Sequence, residues 1–590
     1  MKNIIKFLVF LLPLAACDDL FQPAPENIRD LTSMYEEPTY ADGILGDAYI
    51  LLPYSSAPTS DVATDDAVTN DRNNDYLKIT TGSWTADNDP LSQWKNRRAA
   101  IQYLNIFLEN SDQVIWSKDE NLRAVYNDRM KGEAYGLRAL QMLYLLQAHG
   151  GWTADGRLLG VPNLTAPETT FSDFNQPRNS FQECVQQIMD DAAKAIDLLP
   201  LDFSDLKSDA DVPAKYKSTG VSASAYNRAN GDIARGRVTG RIVEAIRAQA
   251  ALLAASPAFS EGTEISWETA ANYAAIVLDR INGVSGMSTA GLTWYTKEQV
   301  DGLGSGVNPA EIIWRGTIET NNDLEASNFP PSLRGTGRIN PTQNLVDAFP
   351  ALNGYPISDN RSEYDATRPY TSRDPRLAAY ILVNGGKQGT DNAEIITGTY
   401  GTNNDALNRE SGYSTRTGYY LRKLLRPDCN PHPDFNTKQK HYTKRIRYTE
   451  IFLAYAEAAN EAWGPTGKGN HSYSAYDVIK AIRQRAGIGL DNGDAYLESV
   501  KGDKEKMRQL IRNERRLELC FENIRFWDLR RWKTDLNETA KGMQIDQAEG
   551  GLRYTLLDVE SRNYKDYMYY GPVPYAEMLK WSNLEQNKGW

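Results

Sequence analysis

Three long stretches of the chain place apolar residues on most sides of a helical repeat and carry small residues four positions apart. The small residues form ladders, namely Gly132 with Gly136, Ala251 with Ala255, and Ala454 with Ala458 and Ala462. Because residues four apart are neighbours on a helix surface, such ladders let a second helix approach closely. The pattern predicts buried helices over residues 131–147, 239–255 and 445–463.

Each of these helices is followed by a second helical stretch, over residues 181–199, 266–281 and 474–486. The chain therefore offers at least three antiparallel helix pairs. The pairs resemble degenerate tetratricopeptide units, although their spacing is irregular and no period of about 34 residues is present. Ordinary helix hairpins in an α-rich protein explain the periodicity equally well.

Capping boxes mark several helix starts, because the two end residues of this motif satisfy each other's unpaired backbone amides. The spacing occurs at Thr39 and Asp42, at Ser180 and Glu183, and at Ser474 and Asp477. We expect the folded body to begin at the first of these. Gly487 is placed to end the helix that the last one starts.

Two regions have a different texture, rich in Gly, Asn, Thr, Pro and Asp. They cover residues 55–89 and about 282–442, and short apolar segments such as 311–316 interrupt the second. This composition predicts short strands and long ordered loops. Loops of such length inside a compact protein are usually functional, so both regions are candidates for a ligand site.

Residues 511–532 give the strongest internal signal, which we interpret as one helix. Its apolar stripe contains Leu510, Leu517, Phe521 and Ile524. Glu514 falls inside that stripe, and a buried carboxylate needs a partner, which the surrounding arginines can supply. Glu514, Glu518 and Glu522 could also be acid/base pairs of an enzyme. That interpretation is weaker, because residues four apart on one helix do not face each other across a substrate.

The first 17 residues have the features of an export signal. Lys2 and Lys6 give a basic start, residues 4–14 form an apolar run, and two alanines precede Cys17. The run is shorter than the about 20 residues of a membrane-spanning helix. Its end resembles the lipobox of bacterial lipoproteins, in which the cysteine receives a diacylglycerol and becomes the new N-terminus. We expect a signal peptide over residues 1–16 and a lipidated flexible tether over 17–38; a plain secretory signal with a chance cysteine is the alternative.

Composition limits the partners and the cofactors. The formal net charge of −12 disfavours nucleic acid and anionic lipid surfaces, so we expect membrane attachment through the anchor only. Besides Cys17 there are three widely spaced cysteines, which cannot form a disulfide framework. None of the four histidines has a His or Cys at metal-ligand spacing, so no zinc site and no cofactor are expected. A structural calcium near Asp65 or Asp391 is left open.

Several segments, taken in order, resemble the motifs of one family. They are residues 254–259, 341–349, 373–376, 448–458, 512–532 and 586–590. Together they span nearly the whole mature chain and resemble the SusD/RagB family of Bacteroidetes surface lipoproteins. Lys588 departs from the pattern, since the family more often has proline there.

The resemblance implies a mainly α, SusD-like fold of tetratricopeptide-like helix pairs plus an irregular loop-rich half with short β-strands. It implies one globular domain over residues 39–590, with a helical part (39–281), a loop-rich insert (282–442) and a C-terminal helical part (443–590). It also implies an outer-membrane, lipid-anchored protein that faces the cell exterior. Its implied partners are a nutrient, usually a glycan, and a SusC-like TonB-dependent transporter.

The family motifs are structural, so the ligand site is predicted from chemistry. Sugar rings need flat aromatic faces and planar polar groups that pair with hydroxyls. The two loop-rich regions supply both, and Trp463, Trp527 and Trp532 are interpreted as core because they lie in apolar helical runs. The predicted ligand-binding residues are Asp65, Asp66, Arg72, Asn73, Asn74, Tyr76, Trp84, Asp87, Asn88, Trp294, Tyr295 and Trp314.

The sequence therefore favours a non-catalytic, surface-anchored protein that binds an oligosaccharide. A peptide-binding, RagB-like nutrient lipoprotein is one alternative. A surface glycoside hydrolase is a weaker one, suggested by loop carboxylates such as Asp61, Asp65 and Asp66, and it would need two carboxylates about 5–9 Å apart across a cleft.

Overall fold

The computed structural model describes residues 31–590. It consists of a stack of helices and a loop-rich half that contains two-stranded sheets. The α-helices are α1 (Pro38–Ile50), α2 (Asp75–Lys78), α3 (Trp94–Asn110), α4 (Glu120–His149), α5 (Phe181–Leu198), α6 (Ala214–Lys217), α7 (Ala223–Asn230), α8 (Gly240–Ala255), α9 (Trp267–Asp279), α10 (Lys297–Val300), α11 (Asp323–Asn328), α12 (Gln343–Ala348), α13 (Pro375–Tyr380), α14 (Tyr448–Trp463), α15 (Ala475–Ala486), α16 (Ala495–Val500), α17 (Lys504–Leu519), α18 (Arg525–Arg531) and α19 (Tyr575–Lys580). The predicted signal peptide, Cys17 and most of the tether lie outside the described residues.

The strands are β1 (Ala67–Thr69), β2 (Gly151–Trp152), β3 (Leu158–Leu159), β4 (Ile312–Asn321), β5 (Ile339–Pro341), β6 (Ile381–Leu382), β7 (Gly386–Gln388), β8 (Ala393–Ile395), β9 (Tyr420–Leu421), β10 (Gln439–Arg447), β11 (Ala540–Ala548) and β12 (Gly551–Glu560). Most strands are two or three residues long, whereas β4, β10, β11 and β12 have nine or ten residues. The antiparallel pairs are β1 with β5, β2 with β3, β4 with β10, β6 with β9, β7 with β8, and β11 with β12. The prediction of short strands and long ordered loops over residues 282–442 is confirmed.

The helical part is a continuous stack in chain order. α4 packs on α5, α5 on α8, α8 on α9, α9 on α14, and α14 on both α15 and α17. The three predicted pairs are therefore present, and each pair also packs against the next. The interface side chains of these helices belong to one large buried cluster. Within residues 31–590, no helix is both long and apolar enough to cross a bilayer.

The glycine ladder of α4 marks its closest helix contacts. A Cβ built on Gly136 would lie 2.7 Å from Cγ2 of Val243 on α8, closer than real carbon atoms approach. Gly132 meets Leu199 in the same way, at 2.6 Å from Cγ. The small residues thus set the separation between α4 and its neighbours, as the sequence predicts.

Gly136→Ala is expected to lower the free energy of unfolding by about 1–3 kcal/mol, because the added methyl group overpacks the interface. Gly43→Ala is the matched control, since Gly43 lies inside α1 and a Cβ there meets nothing within 4 Å. That variant should gain about 0.5–1 kcal/mol, because alanine has the better helix propensity. Urea unfolding of both variants checks the opposite signs; a gain in both would show that α4 has room for a side chain.

Two of the three predicted capping boxes are confirmed. The backbone N–H of Glu183 donates to Ser180 Oγ at 3.2 Å, and that of Ser180 donates to Glu183 Oε2 at 2.7 Å. Ser474 and Asp477 repeat the arrangement before α15, and Gly487 ends that helix with a φ of 84°. The prediction at Thr39 is wrong, because α1 begins at Pro38, whose missing N–H suits a first helical turn.

The folded body also begins earlier than predicted. Residues Leu31–Tyr35 form a short 3₁₀-helix whose Met34 is fully buried. The backbone N–H of Ile115 donates to Tyr35 O at 2.7 Å, which fixes this segment to the end of α3. The predicted tether therefore cannot extend to residue 38, since its last residues pack on the body.

The 511–532 run is two helices rather than one. α17 ends at Leu519 and α18 begins at Arg525, and Phe521 and Asn523 between them have φ values of 61° and 60°. The carboxylate of Asp61 accepts hydrogen bonds from both of their backbone N–H groups, at 3.1 and 3.0 Å. The break is thus held by a loop residue distant in sequence, and Phe521 and Ile524 do not extend the stripe of α17.

The predicted burial and pairing of Glu514 are confirmed. Its side chain is inaccessible to solvent and accepts from Arg376 Nη1 at 2.9 Å and from Arg483 Nη1 at 2.8 Å. Arg376 in turn pairs with Asp374, and Arg483 with Asp494. These charges tie α17 to α13 and α15 in the protein interior.

Candidate ligand-binding cleft

A cleft of about 270 Å³ lies where the helix stack meets the loop-rich half. Its walls come from the segment before β1, from α4, α8 and α14, from the loop before α10, from β10, and from the break between α17 and α18. We call it the aromatic cleft, because its lining includes Tyr54, Tyr76, Tyr144, Trp294, Tyr295, Tyr442, Phe521 and Trp527.

Trp527 lies on α18 and is the half-buried tryptophan of this lining. Its ring stands edge-on to the buried ring of Phe526, with centroids 5.0 Å apart at 82°. Phe526 belongs to a buried cluster that includes Trp84. A rigid aromatic group supported from behind in this way can present a flat face to a ligand.

A second aromatic group comes from the loop before α10 and from β10. Trp294 contacts Tyr295 and Tyr442, with ring centroids at 5.3 and 5.8 Å. The Tyr442 hydroxyl donates to Trp294 O at 2.8 Å, which fixes the loop on the strand. Within residues 31–590 the indole N–H of Trp294 has no hydrogen-bond partner, so this cleft wall keeps an unused donor.

Several charged groups of the cleft are held in ion pairs. Glu522 accepts from Lys423 Nζ at 2.7 Å and from Arg447 at 2.9 Å, and Lys444 Nζ lies 3.1 Å from its other oxygen. Burial alone would raise the pKa of Glu522, but these three positive charges hold that pKa below its usual range. Glu522 is therefore an anion that cations fix in place.

Asp528 is held in the same way on α18. It accepts from Arg515 Nε and Arg531 Nε, both at 2.8 Å, and Arg531 also pairs with Glu457 of α14. Burial raises the pKa of Asp528, but the two guanidinium groups outweigh burial and lower it. The cleft thus offers fixed hydrogen-bonding groups that cost little to order on binding.

The break between α17 and α18 forms part of the wall and is tied to the segment before β1. Asn523 Oδ1 accepts from the backbone N–H of Ser60 at 3.0 Å, and its Nδ2 donates to Ala57 O at 2.8 Å. Burial, together with the nearby charge of Asp66, raises the pKa of Asp61 to about 7. Asp61 and Asn523 therefore hold two distant segments together at the cleft.

The structure brings together three of the twelve residues predicted to bind ligand, since Tyr76, Trp294 and Tyr295 line the aromatic cleft. Arg72, Asn73, Asp87 and Asn88 are exposed and do not line it. Asn74 caps α2 by accepting from the backbone N–H groups of Tyr76 and Leu77.

The four remaining predictions require correction, because these side chains face other parts of the protein. Asp65 pairs with Arg525 at 2.7 Å and Asp66 with Arg516 at 2.6 Å, and both carboxylates are buried. Trp84 is 3% exposed; its indole N–H donates to Asp89, and its ring contacts that of Trp590. Trp314 is 1% exposed; its indole N–H donates to Gly236 O, and the guanidinium of Arg445 lies over its ring. These four aromatic and acidic side chains therefore hold their own segments against the rest of the protein.

Five aromatic residues line the cleft but are not among the predicted ones, namely Tyr54, Tyr144, Tyr442, Phe521 and Trp527. Trp527 is predicted to be core because it lies in an apolar helical run, and the structure breaks that run between α17 and α18. Asn523 is the signal that could have revealed the break, since asparagine adopts a left-handed backbone more readily than most residues do. Because the helix ends there, the apolar stripe of α17 does not determine which side of α18 is buried.

A stack of helix pairs that carries an aromatic cleft against a loop-rich half defines a mainly α ligand-binding protein. Family models match most of the chain: the one described as "SusD family" over residues 310–590, and the one described as "Starch-binding associating with outer membrane" over residues 41–219. The chain belongs to the SusD-like family.

Individual proteins agree with that assignment. SusD-like protein P38 of Formosa agariphila is 22% identical over 451 residues, which cover 74% of this chain and 71% of P38. A SusD-like protein of Bacteroides fragilis superposes with a TM-score of 0.68 at 21% identity, covering 95% of this chain and 98% of that one. A SusD-like carbohydrate binding protein of the same organism gives 0.66 at 20% identity, covering 94% and 100%. The solved structures thus share the fold over nearly the full chain.

Proposed function

We propose that this protein binds an oligosaccharide at the cell surface, in the aromatic cleft, and delivers it to a SusC-like TonB-dependent outer-membrane transporter. The observation that carries the proposal is the cleft itself, in which partly exposed aromatic rings stand beside hydrogen-bonding groups fixed by ion pairs. Membership of a family with a "Starch-binding associating with outer membrane" model supports the ligand class and the location.

The chemistry of the cleft suits a carbohydrate. Aromatic faces cover the C–H side of a pyranose ring, and charged planar groups take paired hydroxyls. The cleft volume of about 270 Å³ is near the lower end of the range for small-molecule sites. We therefore expect it to hold a short segment of a chain rather than a large folded glycan.

A binding role is favoured over hydrolysis by the state of the carboxylates. A glycosidase needs a general acid whose pKa is raised and that reaches the substrate. The pKa values of Glu522 and Asp528 in the cleft are lowered by arginine and lysine partners. Asp61, whose pKa is raised, does not line the cleft, and its carboxylate accepts from the backbone N–H groups of Phe521 and Asn523. Asp65 and Asp66 pair with arginines.

Trp527→Ala is expected to weaken glycan binding by about 10- to 150-fold, because it removes about 1.5–3 kcal/mol of aromatic burial from the site. Affinity electrophoresis through gels that contain candidate polysaccharides measures the loss of retention. Trp581→Ala is the matched control, since Trp581 is also half-buried but lies outside the cleft, against Phe174.

Equal retention of the wild type and Trp527→Ala on a glycan that the wild type binds would place the site elsewhere. The same panel should include peptides, because peptide binding without glycan binding would favour the RagB-like alternative. Release of reducing sugar from any glycan of the panel would establish hydrolysis instead.

A further inference from the structure

Three potential metal ligands meet beside the aromatic cleft, and one of them, Glu325, is far from the other two in sequence. Glu325 lies on α11, Cys429 follows β9, and His441 lies on β10 and lines the cleft. His441 Nε2 is 3.5 Å from Glu325 Oε2 and 3.8 Å from Cys429 Sγ. The three ligand atoms all lie within 4.8 Å of one another.

These separations are close to those that a tetrahedral zinc ion imposes. With the usual Zn–S and Zn–N bond lengths, sulfur and nitrogen ligands lie about 3.6 Å apart and nitrogen and oxygen ligands about 3.3 Å apart. The two distances from His441 exceed these values by a few tenths of an ångström, and the Glu325 and Cys429 ligand atoms lie within 4.8 Å of each other. Side-chain rotations would bring the three groups onto one ion.

A second observation points to a missing partner. Glu325 is fully buried, and its Oε1 accepts from the backbone N–H of Arg426 at 2.7 Å. Its Oε2 lies 3.5 Å from His441 Nε2 and has no hydrogen-bond partner of normal geometry within residues 31–590; the Cys429 thiol is the other polar group beside Glu325. A buried carboxylate oxygen without a partner is costly, and a bound cation removes that cost.

The donor set identifies the class of metal. Calcium and magnesium take oxygen ligands, whereas a thiolate, an imidazole and a carboxylate together suit zinc. Three protein ligands leave the fourth tetrahedral position for water or for a ligand atom. The expectation from sequence that no zinc site exists rested on local spacing, which does not detect residues that three different elements bring together.

We propose that Glu325, Cys429 and His441 bind one zinc ion. The ion would join α11, the segment after β9 and β10, and so would hold in place the strand that carries Tyr442 into the aromatic cleft. This inference does not rest on the proposed function, because zinc binding is measured without any glycan.

The test uses the full mature chain, stripped with a chelator and titrated with Zn²⁺ in competition with a metal indicator. We expect one zinc ion per chain, and at least about 100-fold weaker binding for Cys429→Ser and for His441→Gln. Cys184→Ser is the control, because Cys184 is a buried cysteine elsewhere, on α5. Zinc should also raise the Tm of the wild type and of the control, but not of the two ligand variants.

Co²⁺ substitution gives a readout that does not depend on the stability of the variants. The wild-type complex should show the charge-transfer absorption of a thiolate bound to cobalt, and Cys429→Ser should lack it. Absence of this absorption in the wild type, or equal zinc affinity in the wild type and both ligand variants, would overturn the proposal and leave an ordinary pair between His441 and Glu325.

Discussion

Replacing Glu514 by alanine is expected to lower the free energy of unfolding by about 3–5 kcal/mol, because it removes the counter-ion that two buried arginines share. Glu514 is inaccessible to solvent and lies between Arg376 and Arg483, which are also buried. The interaction with Glu514, Glu518 and Asp374 outweighs burial and holds the pKa of Arg376 well above its usual range, so this side chain stays charged. Urea unfolding followed by tryptophan fluorescence measures the change.

Glu505→Ala is the matched control on the same helix. Glu505 lies in the first turn of α17, and its side chain is 59% exposed. Exposed ion pairs contribute little, so this variant should unfold close to the wild type. Similar losses in both variants would contradict the view that the network around Glu514 holds α17 against α13 and α15.

Replacing Cys17 by serine is expected to move the protein almost completely from the membrane fraction to the soluble fraction. Each acyl chain contributes about 0.8 kcal/mol per buried methylene, so two or more chains anchor stably and their loss removes the attachment. Detergent-phase partitioning of cell extracts measures membrane attachment, and palmitate labelling measures acylation. Cys17 lies outside the described residues, so this expectation rests on the lipobox resemblance.

Cys184→Ser is the control for this experiment too, since Cys184 is buried on α5 and its Sγ contacts Val161 O at 3.3 Å. It should stay in the detergent phase. Palmitate labelling that persists in Cys17→Ser would contradict lipidation at Cys17.

Protease applied to intact cells should digest the wild type if it faces the exterior, and an intact chain would contradict surface exposure.

Local chemistry predicted the helices and their pairing well. Apolar periodicity located α4, α8 and α14, and the serine capping boxes located the starts of α5 and α15. The burial of Glu514 also followed from the pattern, because a carboxylate within an apolar stripe must face the core. These features depend on residues close together in the chain, which is why sequence reasoning found them.

The lining of the aromatic cleft was predicted only in part. Tyr76, Trp294 and Tyr295 line the cleft, whereas Trp84 and Trp314 pack inside the body. An aromatic residue in a loop can pin the loop or face a ligand, and its sequence neighbours do not distinguish these roles. The separate domain boundaries at residues 281 and 442 stay predictions.

The family resemblance, the positions of the long helices and the need for a partner at Glu514 were readable from residue order, because each depends on residues close together in the chain. The start of α1 and the break between α17 and α18 were not. The aromatic cleft and the grouping of Glu325, Cys429 and His441 were not readable in this way. Both depend on contacts between segments that lie more than a hundred residues apart, such as Asp61 with Phe521 and Glu325 with Arg426. Packing of the whole chain selects those contacts, and so it selects which side chains line the cleft.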